Sequence, residues 1–315
     1  MNPPSPKRPA AALRLVHLAA PRVTRPAVAP GGLLSVRFRR YLAERRSDGL
    51  DPRLIADRLV SDARRHHPAD WLINGPLTCL GQPVEYHQVR RWLETIAATD
   101  HVCVVPSGAD LAPHANWSHT LQQWLPWICS DHGRGAAEPF PWWRQRGPAA
   151  IIGLPPAPAA EPVSRGRQLQ RLEDLLQRAG QAGLCRIVLC QHAPCNPDVP
   201  TAPPAASGGD WTPTLLAGGV ELLLNGDGSD GHLCTFQTAS GGALALRTAG
   251  CQPANGGATG FYSVVEVSRN EKEFHLGIAR YRLTLPAAAG NAEEVGIDTP
   301  PAERLDQAVF ILPRD

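Results

Sequence analysis

Six side chains beside short turns are of the kind that hold a metal ion or move a proton: His17, Asp110, His192, Asp227, Asp230 and His232. Imidazole nitrogens and carboxylate oxygens are ordinary ligands for a divalent cation, and a few of them converging would hold one. Five segments mark where such groups would gather: His17-Leu18-Ala19-Ala20-Pro21-Arg22, Asn74-Gly75-Pro76-Leu77-Thr78, Val105-Pro106-Ser107-Gly108-Ala109-Asp110, Gln191-His192-Ala193-Pro194 and Asn225-Gly226-Asp227-Gly228-Ser229. Each has a plainer explanation as well. His17 lies within an apolar run and is placed to face a core. The run from Gly226 to Gly231 has the composition of a turn. It lacks the terminal glutamate that a calcium loop requires. From the residues alone, one divalent metal ion and no metal at all both stand open.

The elements that must position these segments alternate in type. Leu13–Ala19 reads as a buried strand. Asp51 is a candidate N-cap with Pro52 at the first helical position, and Ile55, Ala56, Leu59, Val60 and Ala63 recur at helical spacing before Pro68 stops the helix. Trp71-Leu72-Ile73 is a short strand. Pro83 opens a helix whose apolar face is Val89, Trp92, Leu93 and Ile96. His101–Val105, Arg186–Cys190 and Val220–Leu224 are further strands, with a helix over about Gln168–Ala179. Strands alternating with helices, each motif at a strand's C-terminal end, predict an α/β protein that binds at those ends.

From Leu233 onward the pattern changes. Leu233–Thr238, Ala243–Thr248, Phe261–Val267 and Phe274–Leu283 are strand-like runs separated by turn residues, which predicts antiparallel pairing on a second sheet. The boundaries expected are a basic, proline-rich and disordered N-terminus over 1–11, one domain over 12–286, and a tail over 287–315. The tail ends in Ala308-Val309-Phe310-Ile311-Leu312, which can dock back as an edge strand or bind a partner.

The chain has 315 residues, 43% of them hydrophobic, enough for a substantial core. A net charge of +2 argues against binding dominated by a nucleic-acid backbone. Arginine is dense in Arg37-Phe38-Arg39-Arg40 and Arg45-Arg46, either a solvated face or a site for an anionic partner. No apolar run is long enough to cross a bilayer, and residues 10–20 suit a strand better than a signal peptide. A cytoplasmic protein is expected. The eight cysteines form no Cys-x-x-Cys, and most sit in apolar strands, as inert buried thiols do. Cys190 and Cys195 flank the fourth segment, which leaves a redox or metal role open. Trp117, Trp124, Trp127, Trp142 and Trp143 crowd one stretch. They form either an apolar cap on the core or a partner-binding surface.

In order and interval the five segments resemble the motifs of the calcineurin-like metallophosphoesterases, in the bacterial branch that includes cyclic-nucleotide phosphodiesterases. There they would read roughly H-L-S-D-x-H, T-G-D-L-T, V-P-G-N-H-D, H-H-P-P and G-H-T-H. Asp70-Trp71-Leu72-Ile73-Asn74-Gly75 and Leu80-Gly81-Gln82-Pro83-Val84-Glu85-Tyr86 are similar to the same family, as are Val220–Leu224 and Tyr262–Glu266; the likeness spans residues 12–285. It implies a four-layer α/β/β/α sandwich with two mixed β-sheets. It also implies a pair of metal ions that activate water for phosphoester hydrolysis.

The resemblance places the family's metal-binding positions at Ala20, Arg22, Pro76, Gly108, Ala109, Gln191, Asp227 and Ser229. Of these only Asp227 suits a hard cation, and Arg22 carries a permanent positive charge where a histidine would stand. Asp110 and His192 match supporting groups of the family. A residual ligand or anion site would draw on Arg22, Asp110, His192, Asp227 and His232. No catalytic residue and no cofactor are expected, one divalent metal being the alternative. The functional expectation is a non-catalytic interaction or regulatory subunit with a protein partner, since degenerate members of this superfamily serve as scaffolds. The alternatives are a hydrolase with a minimal metal site, or a phosphate or nucleotide sensor built on Arg22.

Overall fold

The computed structural model describes residues 12–25, 52–110, 122–131, 140–155, 162–191, 211–226, 231–254, 257–286 and 300–314. Strand β1 (Leu13–Ala19) lies between β2 (Asp70–Asn74), parallel to it, and β11 (Gly257–Arg269), antiparallel. β3 (Val102–Val105) continues the parallel side; β12 (Glu273–Pro286) and β13 (Glu303–Pro313) continue the antiparallel side. With β10 (Gln252–Ala254) paired to β11, this sheet has seven strands. The second sheet has six, in the order β4 (Trp142–Arg146), β5 (Ala149–Gly153), β6 (Cys185–Cys190), β7 (Leu222–Asn225), β9 (Gly241–Arg247), β8 (His232–Thr238). Its interior pairs are parallel and its two outer pairs antiparallel.

Alternation along each strand sets the layers. In the second sheet Ile151, Ile187, Leu189, Leu222, Leu224 and Leu246 join the large core shared with the first sheet. Their neighbours Ile152, Val188, Cys190, Leu223 and Ala245 face the other way, under Leu172, Leu176 and Ala179 of α3 (Pro162–Gln181) and Leu215 of α4 (Trp211–Ala217). The first sheet is covered on its outer face by α1 (Pro52–Ala63) and α2 (Pro83–Ile96). Gly260 on β11 makes the first of these contacts possible, because a Cβ there would fall 2.8 Å from Leu59 of α1. The result is the four-layer α/β/β/α sandwich with two mixed sheets that the resemblance implies.

Several sequence expectations change. The late strands do not form a sheet of their own: β8 and β9 join the strands β4 to β7, whereas β10 to β13 flank β1. A run of strands without helices predicts antiparallel neighbours but not which edge they extend. α1 ends at Ala63, passes into a 3-10 turn over Arg64–His66, and stops at His67, whose φ of 49° is left-handed. Pro68 follows at once, and a proline disfavours the right-handed helical conformation at the residue before it. The tryptophan-rich stretch contains no exposed anchors among its described members: Trp124, Trp127 and Trp142 are buried in the main core, and Trp143 packs beneath Arg178 of α3. Trp142 and Trp143 belong to β4, whose hairpin with β5 turns at Gly147. Trp117 and the expected cap Asp51 lie outside the described residues.

Candidate functional site

The C-terminal ends of β1, β2 and β3 are stitched together by main-chain hydrogen bonds. Ala20 N donates to Asn74 O (2.8 Å), Arg22 N to Pro76 O (3.1 Å), Val23 N to Leu77 O (2.8 Å) and Gly75 N to Val105 O (2.8 Å). The ends of β6 and β7 arrive from the opposite sheet. Gly108 N donates to Gln191 Oε1 (3.0 Å), and Asn225 Nδ2 to Gln191 O (3.4 Å). A Cβ at Gly226 would stand 2.8 Å from that of Asn74, so the fifth segment also approaches the first sheet here. The described parts of all five segments thus meet at one end of the sandwich.

Beneath this meeting point runs a buried polar seam. Asn74 Nδ2 donates to Cys190 O (2.7 Å) and Leu224 O (3.2 Å) across the gap between sheets. Its Oδ1 is therefore the acceptor, and His17 Nε2–H donates to it at 3.3 Å. His17 Nδ1 must then accept, from the Thr248 hydroxyl at 2.8 Å, which lies 3.0 Å from Ser263 Oγ. All four side chains are buried. Burial lowers the pKa of His17 to about 4, against the hydrogen bond to Asn74. A neutral imidazole with both nitrogens engaged is neither a ready ligand nor a proton shuttle.

Asp110 is likewise committed to structure. Its Oδ1 accepts from Leu77 N (2.9 Å), Thr78 N (2.8 Å) and Thr78 Oγ1 (2.8 Å), and its Oδ2 from Ser107 N (2.8 Å) and Ser107 Oγ (3.1 Å). The carboxylate clamps the end of β2 to the end of β3. Burial pushes its pKa up, while the hydrogen bonds from Thr78, Ser107 and Leu77 pull it down. Gly75 leaves the room this needs, since a Cβ there would collide with the carboxylate and stand 2.6 Å from Ser107 N. Glu85 clamps the following loop in the same way, a role absent from the sequence reading of this site. Fully buried, it accepts from Cys79 N (2.8 Å), Leu80 N (3.1 Å), Gln82 N (2.8 Å) and the Thr24 hydroxyl. The signal for it was present: a glutamate three residues after an extended Gln82 at a helix start is the capping-box spacing.

The positions that the resemblance assigns to metal binding now have places. Ala20 sits at a left-handed φ of 45°, with Gly250 so near that a Cβ on the glycine would lie 2.8 Å from the Ala20 methyl. Pro76 follows a cis peptide bond, and Gly108 and Ala109 are exposed. Arg22, at φ 43°, is half-buried, and its charge acts on Cys251, whose thiol burial raises to about 12. Gln191 spends its side-chain oxygen on Gly108. Methyl groups, a proline ring and a guanidinium offer no ligand to a cation, so the described portion of this site does not fit a pair of metal ions. Among the described residues no three His, Cys, Asp or Glu side chains are grouped to hold one. His232 opens β8 opposite Arg247, and its Nε2 makes no hydrogen bond among the described residues. His192, Asp227, Ser229 and Asp230 lie outside them.

No family model matches this sequence, and no curated protein does. Among solved structures, one crystal structure is similar at 10% identity and a TM-score of 0.41, over 81% of this chain and 95% of that one. The crystal structure of Chaetomium thermophilum Vps29 is similar at 9% identity and a TM-score of 0.33, over 96% of this chain and all of that one. At those values the architecture rests on the strand order above.

Proposed function

We propose that this chain is a non-catalytic protein of metallophosphoesterase-like fold that acts as an interaction or regulatory subunit in the cytoplasm. One observation carries this reading: where ligand side chains would converge on metal ions, the strand ends are joined to one another. Gly108 reaches Gln191, Asn74 reaches Cys190 and Leu224, and Asp110 holds Leu77, Thr78 and Ser107. The histidine and the carboxylate best placed for chemistry, His17 and Asp110, serve the same joints. A scaffold retains such joints when it has no water to activate, because fold alone does not fix function.

The test has three readouts on the chain purified from its native host. Metal content should be below about a tenth of an equivalent, a structural or catalytic metal being bound stoichiometrically. A generic phosphodiester should not be hydrolysed with Mn²⁺, Zn²⁺ or Mg²⁺ added. A protein should co-purify in stoichiometric amount and remain bound through a second column. Stoichiometric metal together with turnover would replace this reading with that of a hydrolase using a reduced metal site.

A further inference from the structure

β13 is an edge strand, and no strand covers its outer side among the described residues. Arg314 N donates to Lys272 O, so Arg314 turns its peptide groups toward β12. Peptide groups alternate along a strand. Those of Leu312, Phe310 and Ala308 therefore face inward, and those of Ile311, Val309 and Gln307 face out. The side chains of Val309 and Ile311 are themselves 66% and 58% exposed. An edge that presents unpaired N–H and C=O groups between exposed branched aliphatics is the kind that proteins usually blunt. Here it is bounded rather than blunted. Pro313 has no N–H to offer, and a register shift between Arg280 and Tyr281 breaks the ladder at the other end. The open stretch is Gln307–Ile311.

We propose that a second copy of this chain adds its own β13 to this edge, antiparallel, about a twofold axis at Phe310. That register sets Val309 against Ile311 of the second copy, twice, so each exposed aliphatic is covered by another. It also sets Asp306, which already pairs with Arg280 of its own chain, against Arg314 of the second copy, twice. Other self-pairings are poorer. Centring on Val309 opposes Arg304 to Arg314 of the second copy, and centring on Ala308 opposes Asp306 to Phe310 of the second copy. Like charges placed opposite disfavour the first, and burying a carboxylate against a ring disfavours the second. The paired strands join two seven-stranded sheets into one. Their contact is shorter than a standard stable interface, so the dimer is a weak and reversible one.

Sedimentation velocity of the full chain across the micromolar range tests this. The expected result is a reversible monomer–dimer equilibrium. Val309→Lys combined with Ile311→Lys faces lysine with lysine and should raise the dimer dissociation constant at least about 100-fold, with the monomer's melting temperature unchanged. Arg314→Asp, which faces the Asp306 carboxylate of the second copy with another, should weaken the dimer; Asp306 itself is left in place because it holds Arg280 of its own chain. A strictly monomeric wild type, assembly beyond a dimer, or a dimer indifferent to the lysine variant would overturn the proposal. A dimer indifferent to Arg314→Asp would overturn the register.

Discussion

A histidine that accepts a hydrogen bond at Nδ1 and donates one at Nε2 must be neutral, and His17 does both inside the seam between the sheets. Its pKa in the fold is lowered to about 4 from an ordinary 6.5, chiefly by burial. The consequence for stability has a definite sign. Between those two values the unfolded chain binds a proton and the folded chain does not, so stability falls as pH falls. Above 6.5 there is no effect, and below about 4 the loss is complete. One pKa unit corresponds to about 1.4 kcal/mol, so the step from pH 7 to pH 5 removes about 2 kcal/mol. His17→Gln lacks the titrating group and should be less stable at pH 7. It should also lose less between pH 7 and pH 5, by that amount. Urea denaturation of both proteins at the two pH values measures this; parallel losses would show that His17 is not held neutral.

At the scale of elements, the joints between strand ends matter more than any single strand. Asp110 ties the ends of β2 and β3 through backbone donors on both. Asp110→Ala would leave three buried N–H groups without an acceptor, each costing about 1–3 kcal/mol. The expected loss is at least about 3 kcal/mol, or failure to fold; Asp110→Asn, which keeps one acceptor oxygen, should lose less. Chemical denaturation decides, and an alanine variant within about 1 kcal/mol of wild type would show that the clamp is dispensable. This clamp was only half legible in the sequence. Val105-Pro106-Ser107-Gly108-Ala109-Asp110 could be placed at a strand end because the preceding run is apolar throughout. That the aspartate points back into the fold, rather than out toward a ligand, depends on the approach of Leu77 and Thr78 from another strand. Local elements were legible where periodicity is strong, as in α1, α2, β1 and β6. β4 and β5 were not, because Trp142-Trp143 followed by alternating polar residues resembles a cap as much as an edge strand. The split of the last strands between two sheets was not legible either, since β9 and β11 are similar apolar runs and only tertiary packing separates them. Glu85 and Asn74 were passed over as site residues for a related reason: a polar residue beside a turn looks solvated until its partners are placed.

At the scale of the whole molecule, protein groups among the described residues link the two sheets directly. Arg144 on β4 donates to Val102 O of β3 (3.0 Å) and also to Cys129 O and Pro126 O. Arg146 reaches Asp70 on β2 at 2.7 Å, and Arg280 on β12 reaches Gly231 O beside β8 at 2.6 Å. Asn74 and His17 add further links at the end where the five segments meet. Shared metal ions could bind such sheets together and would make stability depend on the metal. An ion present at a thousand times its dissociation constant contributes about 4 kcal/mol by mass action. In a chain of 315 residues that corresponds to roughly 6 °C of melting temperature. Because the described sheets are joined by direct hydrogen bonds and ion pairs, the expected outcome is a melting temperature that EDTA leaves within about 1 °C, and that Mn²⁺, Zn²⁺ or Mg²⁺ leaves equally unmoved. Differential scanning calorimetry before and after chelation is sufficient. A fall of several degrees, reversed by one of these ions, would mean that a metal holds the strand ends together and that the non-catalytic reading fails with it.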